Sequence, residues 1–125
     1  MKIKDVSEKF NISEDTLRYY EKIGLIPKVP RNKNGIRDYT EWSCRHIDFV
    51  ICMRNAGVSV KSLVEYFDLL KNGKNTVSKR KKLLIKEQEK LINKRSELDN
   101  YINQLTNKIN QYNEIENGTR EDFKL

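Results

Sequence analysis

The fold is decided by residues 13–26, which read SEDTLRYYEKIGLI. Ser13 is a good helix N-cap, because its side-chain oxygen can accept a hydrogen bond from a free backbone amide one turn on. Leu17 and Tyr20 lie three residues apart and share one helix face, and Gly24 suits the left-handed residue that ends a helix. The pattern predicts a short helix that must pack on its neighbours, since so short a helix is not stable alone.

A second short helix is predicted just before this stretch. Residues 4–10 place Val6 and Phe10 on one face, and Asn11 suits a left-handed stop. Two short helices separated by about three residues are typical of a helix-turn-helix. Many small helical hairpins share this spacing, so the pattern alone leaves both readings open.

Residues 25–39 have no helical pattern and are predicted to form a two-stranded wing. Pro27 and Pro30 interrupt any helix, and the pair Asn34-Gly35 is typical of a two-residue hairpin turn. From Lys28 to Arg37 the chain carries four basic residues and no acidic one: Lys28, Arg31, Lys33 and Arg37. A basic wing suits contact with phosphate, and the alternative is a solvated surface hairpin.

Two further helices are expected to complete the core. Thr40 and Ser59 are their predicted N-caps, and Gly57 ends the first of them. Residues 75–115 then contain neither Pro nor Gly and carry an apolar residue at every seventh position: Val77, Leu84, Leu91, Leu98, Leu105 and Tyr112.

The seven-residue repeat predicts a coiled-coil helix that requires a partner chain, and homodimerisation through residues 75–115 is the simplest arrangement. The residues of this repeat form an apolar stripe, called the seam here. The isoleucines beside the seam lie on one side of it early in the helix (Ile85 and Ile92) and on the other side late in the helix (Ile102 and Ile109), which favours an antiparallel pair. The predicted fold is therefore mainly α, with a winged helix-turn-helix DNA-binding domain (1–73), a long antiparallel coiled-coil dimerisation helix (74–116) and a loose C-terminal tail (117–125).

Composition narrows the functional class. The formal net charge is +7, and a basic chain favours an anionic partner such as nucleic acid. No run of 18 apolar residues is present, so no membrane span is expected. The charged N-terminus is not a signal peptide, and two cysteines without an export signal favour reduced thiols and a cytoplasmic location.

Residues 3–73 resemble the DNA-binding domain of the MerR family of bacterial transcription regulators. The resemblance rests on LRYYEKIGLI (17–26), Arg31, the triplet RDY (37–39) and MRNAGVSVKSL (53–63). It implies a homodimer that binds double-stranded promoter DNA at a pseudo-palindrome, untwists and bends it, and so realigns the promoter elements for RNA polymerase.

The resemblance also assigns roles to individual residues. It places Thr16, Arg18 and Tyr19 closest to base edges or adjacent phosphates in the major groove. The full predicted DNA-binding set is Ser13, Thr16, Arg18, Tyr19, Tyr20, Arg37, Tyr39 and Arg54. Tyr20 and Tyr39 have packing in the core as their alternative, whereas Arg18 is expected to be exposed without an obvious partner.

The sensing function is predicted from the cysteines. Residues 70–80 and 112–125 contain neither Cys nor His, which argues against a metal sensor, and Cys44 and His46 are two apart and face opposite sides of a helix. The surroundings of Cys52 resemble the thiol-dependent MerR branch that responds to aldehydes and other electrophiles. The alternative is a small apolar core cysteine.

The resulting hypothesis is a transcription regulator with no cofactor or metal that senses electrophiles through Cys52. An effector-independent regulator or a mobile-element directionality factor is the first alternative, and a basic coiled-coil adaptor is the second. An enzyme is not expected, because His46 is the only histidine and no carboxylate pair or glycine-rich phosphate loop is present.

Overall fold

The computed structural model describes residues 1–125 and contains five α-helices and one 3₁₀ helix. The α-helices are α1 (Ile3–Phe10), α2 (Glu14–Lys22), α3 (Glu41–Asn55), α4 (Val60–Lys71) and α5 (Val77–Glu116), and the 3₁₀ helix is Lys74–Thr76. The mainly α class and the long C-terminal helix are confirmed. The helices include none that combines the length and apolarity needed to cross a membrane.

The chain divides into two compact units, Met1–Ile85 and Lys86–Leu125. Helices α1, α2, α3 and α4 all contribute side chains to the hydrophobic core of the first unit. Val6, Leu17 and Leu25 are completely buried, and they share a cluster with Ile47 of α3 and Phe67 of α4. Burial of each such side chain stabilises the fold by roughly 1.5–3 kcal/mol, so this cluster fixes the short helices that could not form alone.

The predicted helix boundaries at the helix-turn-helix are confirmed. Asn11 adopts the left-handed conformation (φ 51°) that ends α1, and Gly24 does the same after α2 (φ 79°). The Ser13 hydroxyl accepts a hydrogen bond from the Thr16 amide at 3.0 Å. Two residues therefore separate the last residue of α1 from the N-cap of α2, and the two helices pack on one another.

The wing differs from the predicted two-stranded hairpin. It contains one isolated antiparallel bridge, between Arg31 and Arg37, and no strand. The Asn32 side-chain oxygen accepts hydrogen bonds from the amides of Asn34 (2.9 Å) and Ile36 (3.1 Å). The Asn32 side chain closes the loop locally. The single bridge between Arg31 and Arg37 therefore takes the place of the longer pairing of two strands that the sequence predicted.

The predicted turn is also shifted by one residue. The Gly35 amide donates to the Asn32 carbonyl at 2.9 Å, so Lys33 and Asn34 are the central residues of the turn. Gly35 follows them in the left-handed conformation (φ 76°). The wing is therefore a longer loop built on a turn and a bulge glycine, rather than a two-residue turn centred on Asn34-Gly35.

Helix α5 is 40 residues long, or about 60 Å at 1.5 Å per residue, and it has no buried residue. Its seam is open to solvent, with Leu98 49% and Leu105 63% exposed. Residues 117–125 form no helix or strand, and the Phe123 ring lies 5.1 Å from the ring of Tyr112 and 4.3 Å from the Lys108 ammonium. An aromatic residue and a cation on α5 thus give the tail a docking point.

Candidate nucleic-acid interface

The exposed face of α2 carries the central part of the predicted interface. Thr16 is half-buried and Arg18 and Tyr19 are exposed, with 57% of Tyr19 accessible. The Ser13 hydroxyl lies 2.6 Å from the Thr16 hydroxyl as well as accepting from its amide. Ser13 therefore fixes the start of the helix, and the exposed Arg18 and Tyr19 follow in its second turn.

The expectation that Arg18 has no partner is wrong. Its guanidinium lies 3.0 Å from the Asp15 carboxylate and 3.8 Å from that of Glu14. Residues three and four positions apart are neighbours on a helix surface, so the sequence already held this signal. Exposed ion pairs of this kind contribute about 0–1 kcal/mol. They therefore orient the guanidinium but are weak enough for another partner to replace them.

Arg37 is tied to α2 by a pair that the sequence reasoning missed. Its Nε donates to Glu21 Oε1 at 2.8 Å, and the two side chains are 22% and 10% exposed. The two residues are 16 positions apart, and their meeting depends on how the wing folds back. Arg37 therefore positions the wing against α2, and only part of its surface is open to a phosphate.

Tyr39 matches the packing alternative rather than an exposed phosphate contact. It is 2% exposed within the core, and its hydroxyl has no hydrogen-bond partner. Burial raises the pKa of the Tyr39 phenol above its ordinary value, although the nearby Arg37 guanidinium opposes that shift. The neutral phenol is therefore the form present at physiological pH.

Two other predicted contacts also have structural partners. Tyr20 is half-buried against the core, and its carbonyl accepts from the amides of Leu25 (2.9 Å) and Ile26 (3.3 Å). The exposed Arg54 donates to the Val58 carbonyl at 2.8 Å and so braces the turn between α3 and α4. Neither contact removes the side chain from solvent completely.

The cysteines differ in accessibility. Cys44 is buried, whereas Cys52 is exposed in the last turn of α3. His46 lies between the rings of Trp42 (4.2 Å between centroids) and Phe67 (5.2 Å), and burial together with the Arg45 charge lowers its pKa. The structure has no group of three or more His, Cys, Asp or Glu residues placed to hold a metal ion.

A helix-turn-helix followed by a basic turn-closed loop defines the chain as a helix-turn-helix protein of the winged type. Residues 2–39 match the sequence model of the MerR family regulatory protein. A protein from Listeria monocytogenes assigned to the MerR family of transcriptional regulators has a similar structure, with a TM-score of 0.87 and 39% identity over 90% of this chain and 86% of that one. This chain belongs to the MerR family.

Two further relatives are informative. HiNmlR, a MerR family regulator lacking the sensor domain and solved bound to promoter DNA, has a TM-score of 0.82 and 28% identity over 92% of this chain and 91% of that one. The transcriptional regulator AdhR of Bacillus subtilis is 49% identical over 84 residues, which span 67% of this chain and 60% of AdhR. The similarity to AdhR and to HiNmlR is consistent with the AdhR/NmlR branch of the family.

Proposed function

We propose that this protein is a transcription regulator that binds a pseudo-palindromic promoter as a homodimer and acts by distorting the DNA. The observation that carries the proposal is the solvent-exposed pair Arg18 and Tyr19 on α2, a helix capped by Ser13. A helix of this width fits the major groove, where Arg can pair with two acceptors of guanine. HiNmlR, which was solved bound to promoter DNA, supports a DNA-binding role.

The ion pairs of Arg18 are compatible with this role. Asp15 and Glu14 hold the guanidinium on the outer face of α2, and each pair is exposed and therefore weak. A base edge or phosphate can replace them with little loss of free energy. Asp15 and Glu14 would thus orient the Arg18 guanidinium before the DNA replaces them as its partners.

The exposed seam of α5 supports the homodimer. Leu84, Leu98 and Leu105 recur at multiples of seven residues, and each is at least 38% exposed. Pairing with the same seam of a second copy would bury these side chains, as in a coiled coil. An antiparallel pair would bring two helix-turn-helix units to the two halves of a pseudo-palindrome.

The exposure of Cys52 supports a role in sensing electrophiles. The thiol would add to the carbonyl carbon of an aldehyde: the S–C bond forms, the carbonyl π bond becomes the C–O–H group, and the thiol proton moves to oxygen. No other reactant is needed. Cys44 is buried and so is not the accessible thiol.

Footprinting on the chain's own promoter region tests the DNA-binding part. Arg18→Ala should lower promoter affinity about 5- to 150-fold for each half-site, since a base-contacting arginine contributes roughly 1–3 kcal/mol. Arg120→Ala is the matched control, because Arg120 is also exposed and paired at 3.3 Å, with Glu114. Equal affinity for both variants would remove Arg18 from the interface, and no protection at low salt would favour the adaptor alternative.

The same footprint with and without formaldehyde tests the sensor. A change in DNA distortion on addition of the aldehyde should be lost in Cys52→Ala and retained in Cys44→Ala. A response that persists in Cys52→Ala rules out this thiol. Protection without any aldehyde effect in the unaltered protein would favour the effector-independent regulator.

A further inference from the structure

The excess positive charge of this protein is confined to one segment. Residues 69–86, here called the basic segment, carry seven basic side chains and no acidic one. The other 107 residues carry 18 basic and 18 acidic side chains and are therefore neutral overall. The helix-turn-helix and the wing do not account for the net charge of +7.

The basic segment has a defined backbone. It runs from the end of α4 through the 3₁₀ helix Lys74–Thr76 into the first turns of α5. The hydroxyl of the buried Thr76 lies 2.7 Å from the carbonyls of both Leu69 and Gly73, and the Arg80 Nε donates to the same hydroxyl at 3.1 Å. The start of α5 is thereby fixed to the end of α4.

The charges of the basic segment are not neutralised within the chain. The ion pairs of the structure include none of its seven side chains. Four of them, Lys79 to Lys82, lie in the first turns of α5, where the helix dipole disfavours cations. An external anion would relieve both this repulsion and the repulsion between neighbouring cations.

Two lysines are placed to meet such an anion even when α5 is paired. At 3.6 residues per turn, Lys79 and Lys82 lie about 140–160° around α5 from Val77 and Leu84. Both lysines are exposed, and they occupy the face opposite the apolar seam. A second helix on the seam would therefore leave them open to solvent.

The residue types favour nucleic acid over an acidic protein surface. Six of the seven basic residues are lysine. Lysine is depleted in protein–protein interfaces, which favour arginine and aromatic side chains, whereas it binds phosphate as a point charge. Residues 69–86 contain no aromatic side chain.

We propose that the basic segment is a second DNA-contact surface, which binds the phosphate backbone of duplex DNA without reading bases, with Lys79 and Lys82 as contacts. This inference rests on the proposed function and extends it. The segment adds to the salt-dependent affinity, because its side chains are in no ion pair that the DNA must displace, unlike Arg18 and Arg37.

Fluorescence anisotropy with the full chain tests the proposal, using a promoter duplex and an unrelated duplex at several KCl concentrations. The variant is Lys79→Gln with Lys82→Gln. Its matched control is Lys94→Gln with Arg95→Gln, which removes the same charge from exposed residues of the same helix outside the basic segment. Each lost phosphate contact makes the negative slope of log K against log salt shallower by about 0.9. In the variant the slope should therefore be shallower by roughly 1.8 per protomer on both duplexes.

The outcomes separate this proposal from the proposed function. A promoter preference with an unchanged slope in the variant would overturn the second surface and leave the regulator intact. Equal binding of the unaltered protein to both duplexes, with the slope lowered in the variant, would overturn the regulator and keep the surface. A loss confined to the promoter duplex would also overturn the second surface, as would an equal loss in the control variant.

Discussion

Glu21→Gln should loosen the wing from α2 and destabilise the first unit. The pair between Glu21 and Arg37 is hydrogen-bonded at 2.8 Å, and its side chains are 10% and 22% exposed. Fully exposed pairs contribute about 0–1 kcal/mol, and removal of one partner of a fully buried pair costs about 3–5 kcal/mol. A hydrogen bond to a charged group is worth about 1.5–3 kcal/mol, so we expect the free energy of unfolding to fall by about 2 kcal/mol.

A double-mutant cycle isolates the pair from other effects of the change. Glu21→Gln, Arg37→Gln and the double variant would be unfolded in urea at one fixed protein concentration, because a dimer's stability depends on concentration. We expect a coupling free energy of about 1–2 kcal/mol, since each single change leaves one charge half-buried without its partner. The exposed pair of Arg120 with Glu114, at 3.3 Å, is the control and should couple by about 0–1 kcal/mol.

The cycle can refute this reasoning in two ways. A coupling free energy below about 0.3 kcal/mol would mean that the two single changes are independent and that the pair does not hold the wing. A coupling that disappears at about 1 M salt, where the Debye length is about 3 Å, would mean that the pair behaves as a solvated surface pair.

Four further outcomes follow from the structure. Leu17→Ala should lower the free energy of unfolding in urea by about 2–5 kcal/mol, because Leu17 is fully buried. Thr40→Ala should cost about 1 kcal/mol by the same measurement, since it removes the reciprocal cap with Ser43, and Thr40→Ser should recover most of it. The lowered pKa of His46 contributes stability that is present above pH 6.5 and lost as the pH falls below it, so the melting temperature should decrease on acidification by more in the unaltered protein than in His46→Gln. Leu105→Glu should shift the sedimentation coefficient to that of a monomer and leave the circular dichroism of the first unit unchanged, whereas an unaltered dimer would contradict pairing through the seam.

The parts of the fold that could be predicted from sequence depend on local chemistry. The Ser13 and Thr40 caps act on amides three residues away, and Asn11 and Gly24 adopt the left-handed conformation through their own backbone preferences. These features need no knowledge of distant contacts. The heptad of α5 is equally visible, because a seven-residue period is a property of the chain itself.

The parts that sequence did not predict depend on competition or on distant contacts. The pair Asn34-Gly35 favoured a two-residue turn, but the side chain of Asn32 captures two amides and moves the turn by one position. The partner of Arg37 lies 16 residues away, and no periodic rule links them. The burial of Tyr39 likewise depends on how the wing returns to the core.

The distribution of charge separates recognition from affinity in this protein. Arg18 and Arg37 are held by Asp15 and Glu21, so DNA gains from them only the difference between a phosphate or base edge and a carboxylate that is already present. These two arginines contribute most to binding where the DNA places its acceptors to match a guanidinium that is already held in position. This requirement discriminates between DNA sequences. The basic segment has no such competing acids, so its attraction to phosphate is larger but independent of sequence. Rising salt should therefore weaken binding to all DNA through the basic segment, while the ratio of promoter to unrelated affinity, set by the α2 face, changes much less.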